Sequence, residues 1–141
     1  TQKEMHMLPI GRGEIRRQGE KIALLSFGSM LTPCLAAAEE LNATVVNMRF
    51  IKPLDDELVA SLAANHDLLV TVEENTIMGG AGSAVAESLY KQKIYTKILQ
   101  LGLPDTFIDQ GDHAQMLANC GLDKDGIIDS VNSTLSNGSL L

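Results

Sequence analysis

The chain has 141 residues, 45% of them hydrophobic and 21% charged, with a formal net charge of -7. That length suits one domain able to bury its own core without staples, and the negative charge disfavours nucleic acids and anionic membranes as partners. No apolar run approaches the ~20 residues that span a bilayer, and no charged-then-apolar signal segment opens the chain.

Trp is absent and aromatics are only 4%, so the core must be built from Leu, Ile, Val, Ala and Met. The chain begins at Thr1 and its first residues are polar, a start expected of a piece of a longer polypeptide, of a processed chain or of a tag. Residues 1–12 read as a linker, 13–135 as one domain and 136–141 as a tail, with Ser136-Asn137-Gly138-Ser139 expected to be disordered.

Gly13 to Gly19 reads as a short polar strand bounded by its two glycines, with charges that suit a sheet edge. Lys21 to Phe27 is nearly all apolar and reads as a strand buried on both faces. Thr32 and Pro33 predict a helix start, as cap and first helical residue, and Asn42 its end. Thr44 to Phe50 is the next predicted strand. Asp55 is expected to cap a second helix in which Leu58, Val59, Leu62 and Ala63 repeat at helical spacing. It reads as a helix cap, not a metal ligand.

Leu68 to Glu73 is a partly β-branched run and predicts a buried strand. Glu74 and Asn75, the glycines Gly79, Gly80 and Gly82, and a helical pattern through Tyr90 follow. Strand, glycine-rich turn and helix form half of a βαβ unit, the natural place for function. An anion is favoured where backbone N–H groups open a helix. The dinucleotide fingerprint is incomplete, however. It ends in Val85 where a third glycine belongs, and the next strand, Lys97 to Leu101, lacks the acidic residue. No Gly-Lys-Ser/Thr triplet of a phosphate loop occurs either. Two readings of the turn therefore stand, an anion site or a set of small residues that lets a helix pack tightly on the sheet. Beyond Asp112, two short helices broken at Gly121 complete the pattern. Strands alternating with helices predict an α/β fold, a three-layer α/β/α sandwich with parallel crossovers.

The titratable candidates are few. Glu73 and Glu74 adjoin in a strand and point to opposite faces, so they do not converge as an acid–base pair. Arg49 is expected to form a structural ion pair with Glu73 or Glu74. His6, His66 and His113 have no metal-ligand spacing, and His113 reads as a solvated loop residue. Cys34 and Cys120, with no Cys-x-x-Cys motif, read as half-buried thiols in a reducing cytosol.

Four motifs in combination resemble one family. Met48-Arg49-Phe50-Ile51-Lys52-Pro53-Leu54-Asp55, Val72-Glu73-Glu74-Asn75, Met78-Gly79-Gly80-Ala81-Gly82-Ser83 and Gly102-Leu103-Pro104-Asp105 are similar to the 1-deoxy-D-xylulose-5-phosphate synthases. The likeness runs from Leu8 to about Leu135 and falls on their transketolase-type C-terminal domain only. Asn75 stands where the β subunits of 2-oxo acid dehydrogenases usually carry glycine.

The resemblance implies a five-stranded mixed sheet with the first strand antiparallel. It also implies a cytoplasmic homodimeric parent enzyme that joins pyruvate to glyceraldehyde 3-phosphate on thiamine diphosphate and Mg2+. The family's cofactor, metal and substrate-phosphate motifs lie outside these residues. No catalytic, cofactor-binding or metal residue is therefore expected here, and the expected partners are the other domains and the partner subunit. The alternatives are a 2-oxo acid dehydrogenase β-subunit domain or a stand-alone anion-binding module.

Overall fold

The computed structural model describes residues 7–107 and 111–137. Strands at Glu14–Arg17 (β1), Ile22–Ser26 (β2), Thr44–Asn47 (β3), Leu68–Thr76 (β4) and Lys97–Leu103 (β5) alternate with helices. The helices are Leu31–Leu41 (α1), Asp56–Asn65 (α2), Ala81–Lys91 (α3), His113–Asn119 (α4) and Lys124–Asn137 (α5). One sheet takes all five strands in the order β1-β3-β2-β4-β5. β1 is an antiparallel edge strand on β3, and β3, β2, β4 and β5 are parallel. The expected mixed sheet and its polar edge strand are both present.

Alternate residues of a strand face opposite layers, and two cores follow from that. Leu24, Val45, Val70 and Val72 meet α1 and α5, while Ala23, Leu25, Val46 and Leu69 meet α2 and α3. All five residues of β2 are buried, as a central parallel strand requires. Cys34 sits in the first core, and burial pushes its thiol up to about 12, which makes it inert. Among the described residues no helix is long and apolar enough to cross a membrane.

Several sequence-based boundaries move. α1 starts at Leu31 after a 3-10 turn at Gly28–Met30, so Thr32 and Pro33 lie inside its first turn and Met30 stands at the cap. Pro33 is tolerated there because first-turn N–H groups have no intrahelical acceptor anyway. β3 ends at Asn47, not Phe50, since Arg49 takes a φ of 59° that a strand cannot accommodate. β4 runs on through both glutamates to Thr76. α5 continues through Ser136 and Asn137, the first two residues of the expected tail. His6, residues 1–6 of the expected linker and residues 138–141 lie outside the described residues.

Asp55 caps α2 as expected. Its buried carboxylate accepts from Leu58 N at 3.2 Å and Gly13 N at 3.0 Å, and pairs with Arg12 at 3.1 Å. Asp55→Ala is therefore expected to cost about 2 kcal/mol, because it frees both a helix-start amide and the amide that docks the entry to β1. Asp55→Asn, which keeps an acceptor, should cost less than half of that. Urea unfolding of the two variants checks this, and equal losses would mean that charge rather than capping is what Asp55 supplies.

Candidate functional site

The turn between β4 and α3 is built around a single side chain. Glu73 is 4% exposed and faces the α3 layer. Its Oε2 accepts from Ala81 N at 2.7 Å and its Oε1 from Gly82 N at 2.9 Å. These are the first two residues of α3, so the carboxylate occupies the place where an anion would bind a helix N-terminus. The glycines make this possible. Gly79 has a φ of 74°, a backbone state that favours glycine. A Cβ on Gly80 would fall within 2.6 Å of Glu73 Oε1. Of the two readings of the turn, the structure supports the one in which small residues seat a helix on the sheet.

Glu74 faces the opposite layer, as strand alternation requires. It accepts a hydrogen bond from the Ser29 hydroxyl, and His113 Nε2 lies 2.5 Å from its Oε1. The Ser29 hydroxyl, and after it His113, hold the Glu74 carboxyl below the usual carboxylate range. His113 is 67% exposed, as a solvated residue should be, but it opens α4 instead of lying in a loop and is engaged by Glu74. Ser29 is a partner that sequence reasoning missed. Its signal is its place in the Gly28-Ser29 break directly after β2, which the sheet order sets beside β4.

A depressed carboxylate pKa contributes stability that is present above the unfolded value of about 4.3 and lost as pH falls through the folded value. Ser29→Ala is expected to raise the Glu74 midpoint toward that ordinary value, as read by carboxyl-carbon NMR titration. An unchanged midpoint would take the hydroxyl out of this account.

Arg49 pairs with neither Glu73 nor Glu74. Its Nη2 meets Glu14 on β1 at 2.5 Å. The left-handed backbone at Arg49 turns it toward the antiparallel edge strand, whose existence but not neighbour could be read from sequence. His66 is also engaged. Thr44 Oγ1 accepts from Gly19 N at 3.0 Å and is hydrogen-bonded to His66 Nε2 at 2.8 Å, and His66 Nδ1 donates to Leu62 O at 2.9 Å.

A cleft of about 220 Å³ lies beside the turn, lined by Ile51, Lys52, Asn75, Ser83 and Glu87 among others. Among the described residues it holds one cation and one carboxylate but no nucleophile–base pair. A diphosphate–magnesium site needs several hard oxygen ligands converging on one point. Here the acid–amide cluster at the end of β4 is divided, with Glu73 spent on α3 amides and Glu74 on Ser29 and His113 across the sheet. Among the described residues no group of three His, Cys, Asp or Glu could hold a metal ion. The residues present do not fit the cofactor that the resemblance implies for the parent enzyme.

Comparison with known proteins places this geometry in context. Residues 11–127 match the family described as transketolase, C-terminal domain. The chain is 74% identical over 130 residues to the 1-deoxy-D-xylulose-5-phosphate synthase of Nitrosospira multiformis, covering 92% of this chain and 21% of that protein. It is 70% identical over 135 residues to the synthase of Nitrosomonas europaea, covering 96% and 22%. A solved structure described as a split gene transketolase, inactive β4 tetramer, is similar with a TM-score of 0.84 and 30% identity, covering 92% of this chain and 44% of that one. The chain spans about a fifth of the length of the curated relatives it matches.

Proposed function

The chain belongs to the transketolase C-terminal domain family, and on that premise we propose that it is the C-terminal, non-catalytic part of a 1-deoxy-D-xylulose-5-phosphate synthase. The parent joins pyruvate to glyceraldehyde 3-phosphate with loss of CO2, on thiamine diphosphate and Mg2+ held by other domains. Its product feeds isoprenoid, thiamine and pyridoxal synthesis. The parent is a cytoplasmic homodimer, and this domain supports its assembly.

The 74% identity to a synthase supports the activity. The observation that carries the non-catalytic role is the Glu73 carboxylate on the amides of α3. The helix start best suited to a ligand phosphate is satisfied from within the fold, so its contribution is structural.

Expression of the complete reading frame with pyruvate and glyceraldehyde 3-phosphate tests the activity. 1-Deoxyxylulose 5-phosphate and CO2 are the expected products. Transfer of the acyl group to a lipoyl acceptor would instead make the parent a 2-oxo acid dehydrogenase. For the segment alone, calorimetric titration with thiamine diphosphate and Mg2+ should give no saturable heat at micromolar concentration. Measurable binding would overturn the non-catalytic reading.

A further inference from the structure

We infer that the end of the sheet where the parallel strands finish is the surface that docks the preceding part of the same polypeptide. The inference rests on the reading above, that the chain is the C-terminal part of a longer enzyme.

Exposed large apolar side chains gather at that end. Ile51 follows β3, Met78 follows β4 and Phe107 follows β5, with Met78 77% exposed and Phe107 fully so. Residues 7–12 reach the same end, because β1 is antiparallel and starts with Glu14 opposite Asn47, the last residue of β3. Ile10 is 77% exposed there. Three clefts open at this end beside Ile10, Ile51 and Phe107, and Met78 stands outside them, next to Gly79 of the second. The first lies between Ile10 and Pro53, the second takes in Ile51, Asn75 and Gly79, and the third lies between Thr76 and Phe107.

The opposite end is more polar. Its loops carry Gln18, Glu20, Lys21, Asp67, Gln92 and Lys93, and Tyr90 and Tyr95 there each end in a hydroxyl that water can satisfy, while Leu135, 41% exposed, is a lesser aliphatic exposure beside Glu20 and Asp67. Large apolar residues clustered on one end of a soluble domain mark a buried contact.

The occupant follows from chain direction and length. The curated relatives are several times longer, and the family is described as a C-terminal domain, so the rest of the chain precedes this one. It must enter through residues 7–12, at the apolar end itself. A contact of ordinary inter-domain size, roughly 600–1,500 Å², needs a surface of this character next to the point of entry.

Hydroxyl-radical footprinting of the unmutated full-length protein tests this, with each peptide normalised to the same protein in denaturant. Met78 and Phe107 should be protected several-fold, and Tyr90 and Tyr95 should label as freely as their exposure allows. Free labelling of Met78 and Phe107 would overturn the inference. So would protection that disappears when the protein is diluted to monomer, because a second copy would then be the cover. Product analysis on the same preparation tests the parent reading separately. Synthase activity with Met78 and Phe107 unprotected rejects the docking surface alone, whereas protection without synthase activity rejects the parent enzyme alone.

Discussion

Glu73→Ala is expected to destabilise the domain by about 3 kcal/mol, a large share of the roughly 5–15 kcal/mol that holds a domain of this size folded. The carboxylate is buried and accepts from Ala81 N and Gly82 N. Its removal strands two amides at the start of α3 in a site closed to water, each costing about 1–3 kcal/mol, with partial relief from fraying of the first turn. The negative charge at the helix start is lost as well. Glu73→Gln keeps one acceptor oxygen and fills the same space, so it should cost about 1–2 kcal/mol.

Urea unfolding with unchanged slopes separates these outcomes from a loss of compactness. Formate matches the deleted group and should restore part of the stability of Glu73→Ala through linkage, while phosphate should leave the unmutated domain unaffected. A saturable phosphate stabilisation of the unmutated domain would show that the helix start is open to ligands. The assignment of Glu73 as its permanent occupant would then fail.

Much of the fold was legible because the period of the pattern is physical. The continuous apolar runs from Ile22 and Leu68 require strands covered on both faces, and those are β2 and β4. Asp55 and Asn42 announce helix ends by side-chain and left-handed backbone chemistry, and both act as read. The errors arose where tertiary contacts set the outcome. Arg49 meets Glu14 because β1 lies on β3, a neighbour relation that no local pattern encodes. His113 meets Glu74 across 39 positions of chain. At the glycine turn, strand alternation assigned the two glutamates to opposite faces, but nothing local said that Glu73 would fold back on the helix eight residues later. The glycines looked the same whether they made room for a ligand or for a side chain of the protein itself.

Gly82→Val should cost more than 3 kcal/mol and could abolish folding, through overpacking with little contribution from backbone strain. Gly82 is the second residue of α3 and is buried against β4 and β5. A Cβ there would lie 2.5 Å from Thr71 Oγ1 and 3.2 Å from the Gln100 side chain. Gln100 Nε2 donates to Gly82 O at 3.3 Å, so it cannot swing away without losing that bond. A shift of the helix off the sheet would relieve both contacts, but it would pull Ala81 N and Gly82 N from Glu73 as well. Gly82→Ala gives a graded version that folds more readily, with an expected cost of about 1–2 kcal/mol.

Thr71 supplies the internal check. Its hydroxyl is buried and has no hydrogen-bond partner among the described residues, so Thr71→Ala removes a polar group that gains little from its position. It also removes the atom that a Cβ at position 82 would strike. Gly82→Ala should therefore be markedly less costly in the Thr71→Ala background, with the double mutant costing about 1 kcal/mol less than the sum of the single variants in a double-mutant cycle. Strict additivity would show that the contact under the helix is not what excludes a side chain at position 82, and that the glycine answers to a demand elsewhere in the turn.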